Sequence, residues 1–289
     1  MMRASAFCPG HITGFFEICE KEDLLSTGSR GAGLCLTLGA TSIVKTKASP
    51  RQSIRVSIDG RRSRAEVTRT ALKRLIGDKK LEVDVDTKLD LPQSQGFGMS
   101  AAGALSASVA LAHLLGRTRQ AAFEAAHIAE LVNRCGLGDV SALHRGGMTI
   151  RQRAGLPPKG RVLRIKGEPE IVLCVLGGKL LTRTVLTNPS KRKAINASGS
   201  RKVDQIVRNP SVEELFRLSS EFAFETGLAS RKTLEAMSAA SRLGMASMAM
   251  LGNSVFAVGD TDGLRRVLSD FGEVWLCEVD AKGPVLKSR

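Results

Sequence analysis

The stretch from Leu89 to Leu105 limits what this chain can become more than any other part of it. It reads Leu-Asp-Leu-Pro-Gln-Ser-Gln-Gly-Phe-Gly-Met-Ser-Ala-Ala-Gly-Ala-Leu. An apparent strand over Lys88–Leu91 stops at Pro92, a loop carries Gly96 and Gly98, and a helix of small residues follows, over Ser100–Leu115. Glycine enters φ > 0 without strain and has no Cβ to hold an anion away. The unpaired N–H groups of a first helical turn, near Met99 to Gly103, then face that anion with the positive end of the helix dipole. Ser100 stands where its hydroxyl reaches a terminal phosphate or a bound Mg²⁺. A loop that only turns a strand into a helix has the same residues, so both readings stay open here. A Walker A loop is excluded, because no Gly-Lys-Ser/Thr follows. A Rossmann fingerprint is excluded too, since the third glycine and the downstream acid are missing.

Around this segment, strands and helices mix without regular βαβ alternation, which predicts an α+β fold in two domains. Short strands are predicted at Ser5–Cys8, Leu34–Leu38, Ser42–Thr46 and Ser53–Ile58, the last ending on an Asp59-Gly60 hairpin turn. Ala65–Ile76 places Val67, Ala71, Leu72, Leu75 and Ile76 on one helical face. A further strand is expected at Leu81–Val85, a helix capped by Thr118 runs to about Asn133, and a Gly-rich turn surrounds Gly136 to Gly138. A strand at Gly147–Gln152 then leads to Gly155-Leu156-Pro157-Pro158, the clearest break in the chain. It divides residues 1–155 from 156–289. The second part predicts strands at Val162–Ile165, Ile171–Leu176, Leu180–Val185, Ser254–Val258 and Val274–Val279. A basic linker and helix are expected over Pro189–Arg208, with further helices near Val212–Thr226, Arg231–Leu243 and Asp262–Phe271.

Composition narrows the function classes. Hydrophobic residues are 43% and charged residues 25%, which excludes disorder as a whole-chain reading. The net charge of +15 is concentrated: Val44–Lys80 carries an excess of nine basic residues and 183–208 an excess of six. Such segments are solvated faces, a footprint for RNA, or a field that steers ATP and an acidic substrate. With 4% aromatic residues and no Tyr, stacking platforms for single strands are scarce, which counts against RNA binding. The six cysteines form no C-x-x-C pair and mostly sit among apolar neighbours, as reduced thiols of a cytoplasmic protein do. The first sixteen residues lack the long apolar core of a signal peptide, and Ala101–Leu115 is too short to span a bilayer.

Gly96-Phe97-Gly98-Met99-Ser100-Ala101-Ala102 resembles the phosphate loop of the GHMP kinases, P-x-x-x-G-L-G-S-S-A-A, with Pro92 at the matching proline and Met99 departing from the first Ser. Ala4-Ser5-Ala6-Phe7-Cys8-Pro9-Gly10 resembles the family's first motif, but continues His11-Ile12-Thr13-Gly14-Phe15-Phe16-Glu17 instead of Gly-Glu-His. Ala129-Glu130 and Gly138-Asp139-Val140-Ser141-Ala142 resemble the segment bearing the Mg²⁺-binding Glu and the catalytic Asp. The third motif survives only as Ala246-Ser247-Met248-Ala249-Met250-Leu251-Gly252-Asn253. The departures, together with Gly28-Ser29-Arg30-Gly31-Ala32-Gly33, resemble one branch of that family, over nearly the whole chain.

The resemblance implies a two-domain GHMP kinase fold, with an N-terminal mixed α/β nucleotide-binding domain and a C-terminal ferredoxin-like α/β domain. It implies transfer of the ATP γ-phosphoryl to a hydroxyl of a small acidic metabolite, with Mg²⁺, by a homodimer. Homoserine- and mevalonate-type kinase activities are the alternatives within the family. Gly96, Phe97, Gly98, Met99, Ser100, Ala101 and Ala102 are then the phosphate-binding residues, Ser100 and Glu130 the metal ligands, and Asp139 the base. His11 and Arg30 are candidate substrate contacts, with Arg145 a second candidate for the acceptor's carboxylate. Each has a plainer reading: Asp139 as a turn cap, Glu130 as a solvent-facing helical residue, His11 as a structural histidine, Arg30 as a surface arginine. Met245, Met248 and Met250 read as packing residues.

Overall fold

The computed structural model describes residues 1–178 and 185–287. Two strands of unusual length organise it, β1 (Met2–Cys19) and β2 (Gly28–Ala48), paired antiparallel along their lengths. The sequence suggested short strands here because Pro9, Gly10 and Gly14 interrupt the first and several glycines the second. The chain stays extended and absorbs these residues as irregularities, with register shifts between Pro9 and Gly10 and between Thr13 and Phe15. Bulges re-aim side chains without ending a strand, and the stretch between these two carries His11 and Thr13.

Beyond β2 the sheet forks. Ala40–Ala48 pairs with β5 (Leu81–Leu89), whereas Gly31–Leu34 pairs with β6 (Met148–Arg153), which carries β7 (Arg161–Ile165). β3 (Ser53–Ile58) runs parallel to β5 and pairs with the short β4 (Arg61–Arg62), while β12 (Val285–Lys287) closes the opposite edge on β1. The four-stranded second sheet is antiparallel, in the order β11 (Glu273–Glu278), β8 (Glu170–Val175), β10 (Ser254–Gly259), β9 (Gly244–Met248). Its strands come wholly from residues 170–278, but β7 and β12 join the larger sheet. The strand expected over Leu180–Val185 falls outside the described residues, except Val185, which lies in a helical turn.

Eight helices are described. α1 (Glu66–Ile76) buries its predicted face, and α3 (Arg119–Asn133) starts at Thr118, whose hydroxyl accepts from the N–H of Ala121. α4 (Asp139–Leu143) is a short helix directly after the expected Gly-rich turn. α5 (Pro189–Arg208) is helical throughout, so the basic stretch contains no linker. α6 (Val212–Glu225), α7 (Arg231–Ala240) and α8 (Thr261–Ser269) pack on the second sheet. α2 (Met99–Leu114) is the central helix, packed on β1, β2, α1 and α3. Its alanines, serines and glycine let these neighbours approach closely. From Met99 to Ala112 every residue except Ser100 is buried. The six cysteines form no disulfide, and Cys8, Cys35, Cys174 and Cys277 are buried, as the sequence led us to expect for most of them.

Three hydroxyls tie α2 to the sheet beneath it. Ser42 Oγ shares hydrogen bonds with Thr87 Oγ1 at 2.8 Å and with Ser106 Oγ at 2.7 Å. All three residues are buried, so removing one partner strands the others in an apolar setting. Ser42→Ala is expected to lower stability by about 1–3 kcal/mol in urea unfolding. A midpoint and slope equal to the parent's would show that the network contributes nothing.

Candidate active site

The glycine bend lies on a cavity of about 520 Å³. Gly96 and Gly98 both take left-handed conformations, at φ +83° and +64°. No side chain caps the helix that follows, and its first turn is left open to the cavity through Ser100. Gly96, Phe97, Gly98, Met99 and Ser100 line that space. Ala101 and Ala102 are fully buried in the same turn, and the Ala102 N–H donates to the Gly98 carbonyl at 2.9 Å, inside the helix.

Two segments hold the bend. From β1, the backbone N–H of His11 donates to the Phe97 carbonyl at 3.0 Å. From the other side, Ser254 Oγ donates to the Gln95 carbonyl at 2.5 Å, and Gln95 Nε2 donates to the Gly177 carbonyl at 3.0 Å. Gly252 packs so tightly that a Cβ there would lie 2.1 Å from Gln95 backbone atoms. The weak third motif, which the sequence left without a role, is therefore a backing for the bend. It also touches β1, where Met250 N–H donates to the Thr13 carbonyl at 2.9 Å.

The end of α3 and the turn into α4 present two carboxyl groups to the same cavity. Asp139 opens α4, lines the cavity and accepts from His11 Nδ1 at 2.7 Å. Glu130 also lines it but is almost wholly buried. Burial first, then the charge of Asp139, pushes its carboxyl well above the usual range, opposed by the Val140 N–H. The plainer reading of Glu130 as solvent-facing does not hold. The two glycines of the turn serve side-chain passage here, since neither has positive φ. A Cβ on Gly136 would meet Glu130 Oε1 at 2.5 Å, and one on Gly138 would meet Ser29 Oγ at 2.3 Å and Arg151 Nε at 2.6 Å.

Arg151, from β6, was not singled out by the sequence. It is buried and lines the cavity beside Asp139. Its Nη2 donates to Thr13 Oγ1 at 3.3 Å, while Nε and Nη1 have no hydrogen-bond partner among the described residues. Burial lowers its pKa to about 10, with Asp139 opposing, so it stays charged at neutral pH. In the sequence Arg151 and Arg153 are two apart; in the structure a register shift of β6 separates them, the first buried and the second exposed.

The structure does not bring the other candidate cations to this place. Arg30 lies outside the cavity lining and is occupied by Glu17 at 2.9 Å, Asp204 at 2.8 Å and the Gln152 carbonyl at 3.0 Å. Arg145 is exposed, away from the lining, and its carbonyl accepts from Arg164. His11 stands behind Asp139 and is not part of the lining. Met248 and Met250 are buried, as packing residues are, and Met250 also borders the cavity.

The family model for the GHMP kinases N terminal domain matches residues 65–147, the span that holds the bend, Glu130 and Asp139. Over nearly its whole length the chain is similar to two curated pantoate kinases. One, from Methanocaldococcus jannaschii, is 32% identical over 94% of this chain and 99% of the relative. The other, from Thermococcus kodakarensis, is 33% identical over 93% of each. A solved structure described as a phosphotransferase related to the CoA biosynthesis pathway superposes with a TM-score of 0.90, at 30% identity and 99% coverage of both chains. The chain belongs to the pantoate kinase family of GHMP kinases.

Arg30 joins β1, β2, β6 and α5 through its three partners, so it acts as a clamp. Arg30→Ala is expected to cost about 1 kcal/mol in urea unfolding, since the carboxylates it leaves are partly solvated and Asp204 is exposed. A variant as stable as the parent contradicts the clamp.

Proposed function

We propose that the protein transfers the γ-phosphoryl of ATP to the 4-hydroxyl of pantoate, giving 4-phosphopantoate on the archaeal route to coenzyme A. The observation that carries this reading is a glycine bend at a helix N-terminus that lines one cavity with a carboxylate and a buried arginine, in a chain about one-third identical to curated pantoate kinases. Phosphoryl transfer asks for positioning and charge neutralisation, with one group to orient or deprotonate the attacking hydroxyl. The triphosphate lies against the backbone at Gly96–Ser100. Asp139 accepts the hydroxyl proton. Arg151 pairs with the pantoate carboxylate through the donors that the protein leaves unpartnered, as a planar guanidinium does best. The proposal leaves Arg30 and Arg145 outside the acceptor site.

The donor set fits Mg²⁺. Ser100 offers an exposed hydroxyl, and Glu130 offers a hard carboxyl whose raised pKa a nearby cation would reverse. A Mg²⁺ held by these two would neutralise charge on the triphosphate oxygens. Among the described residues no cluster of three His, Cys, Asp or Glu would hold a metal by itself, so the ion would come with the nucleotide.

Both basic segments border the cavity, one through Ile58, Ser63 and Ala65–Thr68, the other through Leu186, but none of their Lys or Arg side chains lines it. Steering of anionic substrates by these segments is part of the proposal. The reading includes a homodimer and a cytoplasmic location. No helix among the described residues is long and apolar enough to cross a membrane. A division near residue 155 into two folding units is likewise a proposal, supported by the second sheet arising wholly after it.

An assay of ADP release with a panel of hydroxy acids and alcohols tests the reading. Turnover is expected only with ATP, Mg²⁺ and pantoate together, falling about 10²–10⁴-fold in Asp139→Ala, as loss of a general base does. Turnover with homoserine or mevalonate alone replaces the acceptor, and tight RNA binding without nucleotide turnover overturns the proposal.

A further inference from the structure

One residue touches both halves of the reaction site without entering it. His11 donates its backbone N–H to the Phe97 carbonyl of the glycine bend at 3.0 Å, and its ring Nδ1 bonds Asp139 Oδ1 at 2.7 Å. Its side chain is fully buried and absent from the cavity lining, whereas Asp139 lines it. We infer that His11 is a positioning residue: in its neutral Nδ1–H form it fixes the spacing between the phosphate-binding bend and the base, and it contacts neither phosphate nor acceptor.

The chemistry of the two atoms carries this. A carboxylate only accepts, so the proton in the 2.7 Å bond sits on Nδ1. The other ring nitrogen, Nε2, is buried with no hydrogen-bond partner among the described residues. An imidazolium would place a second N–H there with nothing to receive it, so the neutral ring is favoured; burial acts in the same direction. A ring already protonated at Nδ1 cannot take a proton from Asp139 through that bond, which excludes a relay. The surroundings are shaped to the ring. A Cβ on Gly33 would stand 3.0 Å from Nε2, and one on Gly98 would stand 3.0 Å from the His11 carbonyl. The register shifts on either side of Gly10–Thr13 turn this residue inward at the level of the bend.

The inference rests on Asp139 as the base, and its test separates the two. The chain has four histidines, and the ¹⁵N-labelled protein gives each a tautomer signature, with His11 assigned by its disappearance in His11→Asn. The Nδ1–H tautomer is expected to persist across the neutral range in the free enzyme, whatever the activity. An Nε2–H tautomer or an imidazolium overturns the inference. Kinetically, asparagine places an amide N–H near the Nδ1 position. His11→Asn is expected to keep kcat within about 10-fold, while His11→Ala loses about 100-fold, the size of effect that misplacement by about 1 Å produces. KM for ATP and for pantoate should stay within about 3-fold in both, because binding contacts are untouched. A rise in KM for pantoate at unchanged kcat, or an asparagine variant no better than alanine, contradicts positioning. If neither variant folds, the tautomer measurement on the parent decides, with the His11 ring signals then assigned through bonds from its own sequentially assigned backbone. Asp139→Ala retaining near-parent activity removes the base but leaves the tautomer result standing.

Discussion

Gly96 and Gly98, in left-handed conformations, precede a helix whose first turn borders a cavity with no side chain to cap it. Most of the molecule can be understood as support for that one exposed helix end. A side chain at either glycine would be strained by the backbone angle alone, and crowded as well, with Ala249 backbone atoms 2.8 Å from a Cβ on Gly96. Unsatisfied donors at a helix end are costly when buried without a partner and useful when a ligand supplies one. The burial of α2 on every side but that of Ser100 turns this end into a fixed feature of the fold.

The second ingredient is charge held where water is scarce. Glu130, Asp139 and Arg151 meet at one end of the cavity, with Glu130 and Arg151 almost wholly buried. Burial pulls both of these toward their neutral forms, and an opposite charge beside either acts against that pull. The site is thus arranged for a cation beside Glu130 and an anion beside Arg151, which suits a metal–nucleotide and a carboxylate acceptor in the proposed reaction. β1 links the two ingredients: between its register shifts it supplies Thr13 to Arg151 and His11 to Asp139, while its backbone holds the bend.

The bend itself was legible through its resemblance to the family's phosphate loop, since two glycines before a small-residue helix also suit a plain strand-to-helix turn. Asp139 was singled out because it follows Gly136 and Gly138, and Glu130 through the resemblance alone, although those glycines clear space for side chains where a turn conformation had been assumed. The long strands were not legible. Proline and glycine usually punctuate strands, and nothing local in Ser5–Gly14 tells a bulge from an end. Arg30 and Arg151 could not be ranked from sequence either. Each is an arginine near the resembling motifs, and only the partners Glu17 and Asp204, far apart in the chain, show that the first is already occupied. The third motif had lost its glycine-rich signature, and its place behind Gln95 follows from Gly252 and Ser254, which pack across the sheets.

A crystal structure of the protein with a non-hydrolysable ATP analogue and pantoate tests the central claim most directly. The account predicts terminal phosphates within hydrogen-bonding distance of backbone N–H groups at Gly98–Ser100, with the acceptor hydroxyl facing Asp139. A triphosphate bound elsewhere, with the bend making no contact to it, would contradict the account.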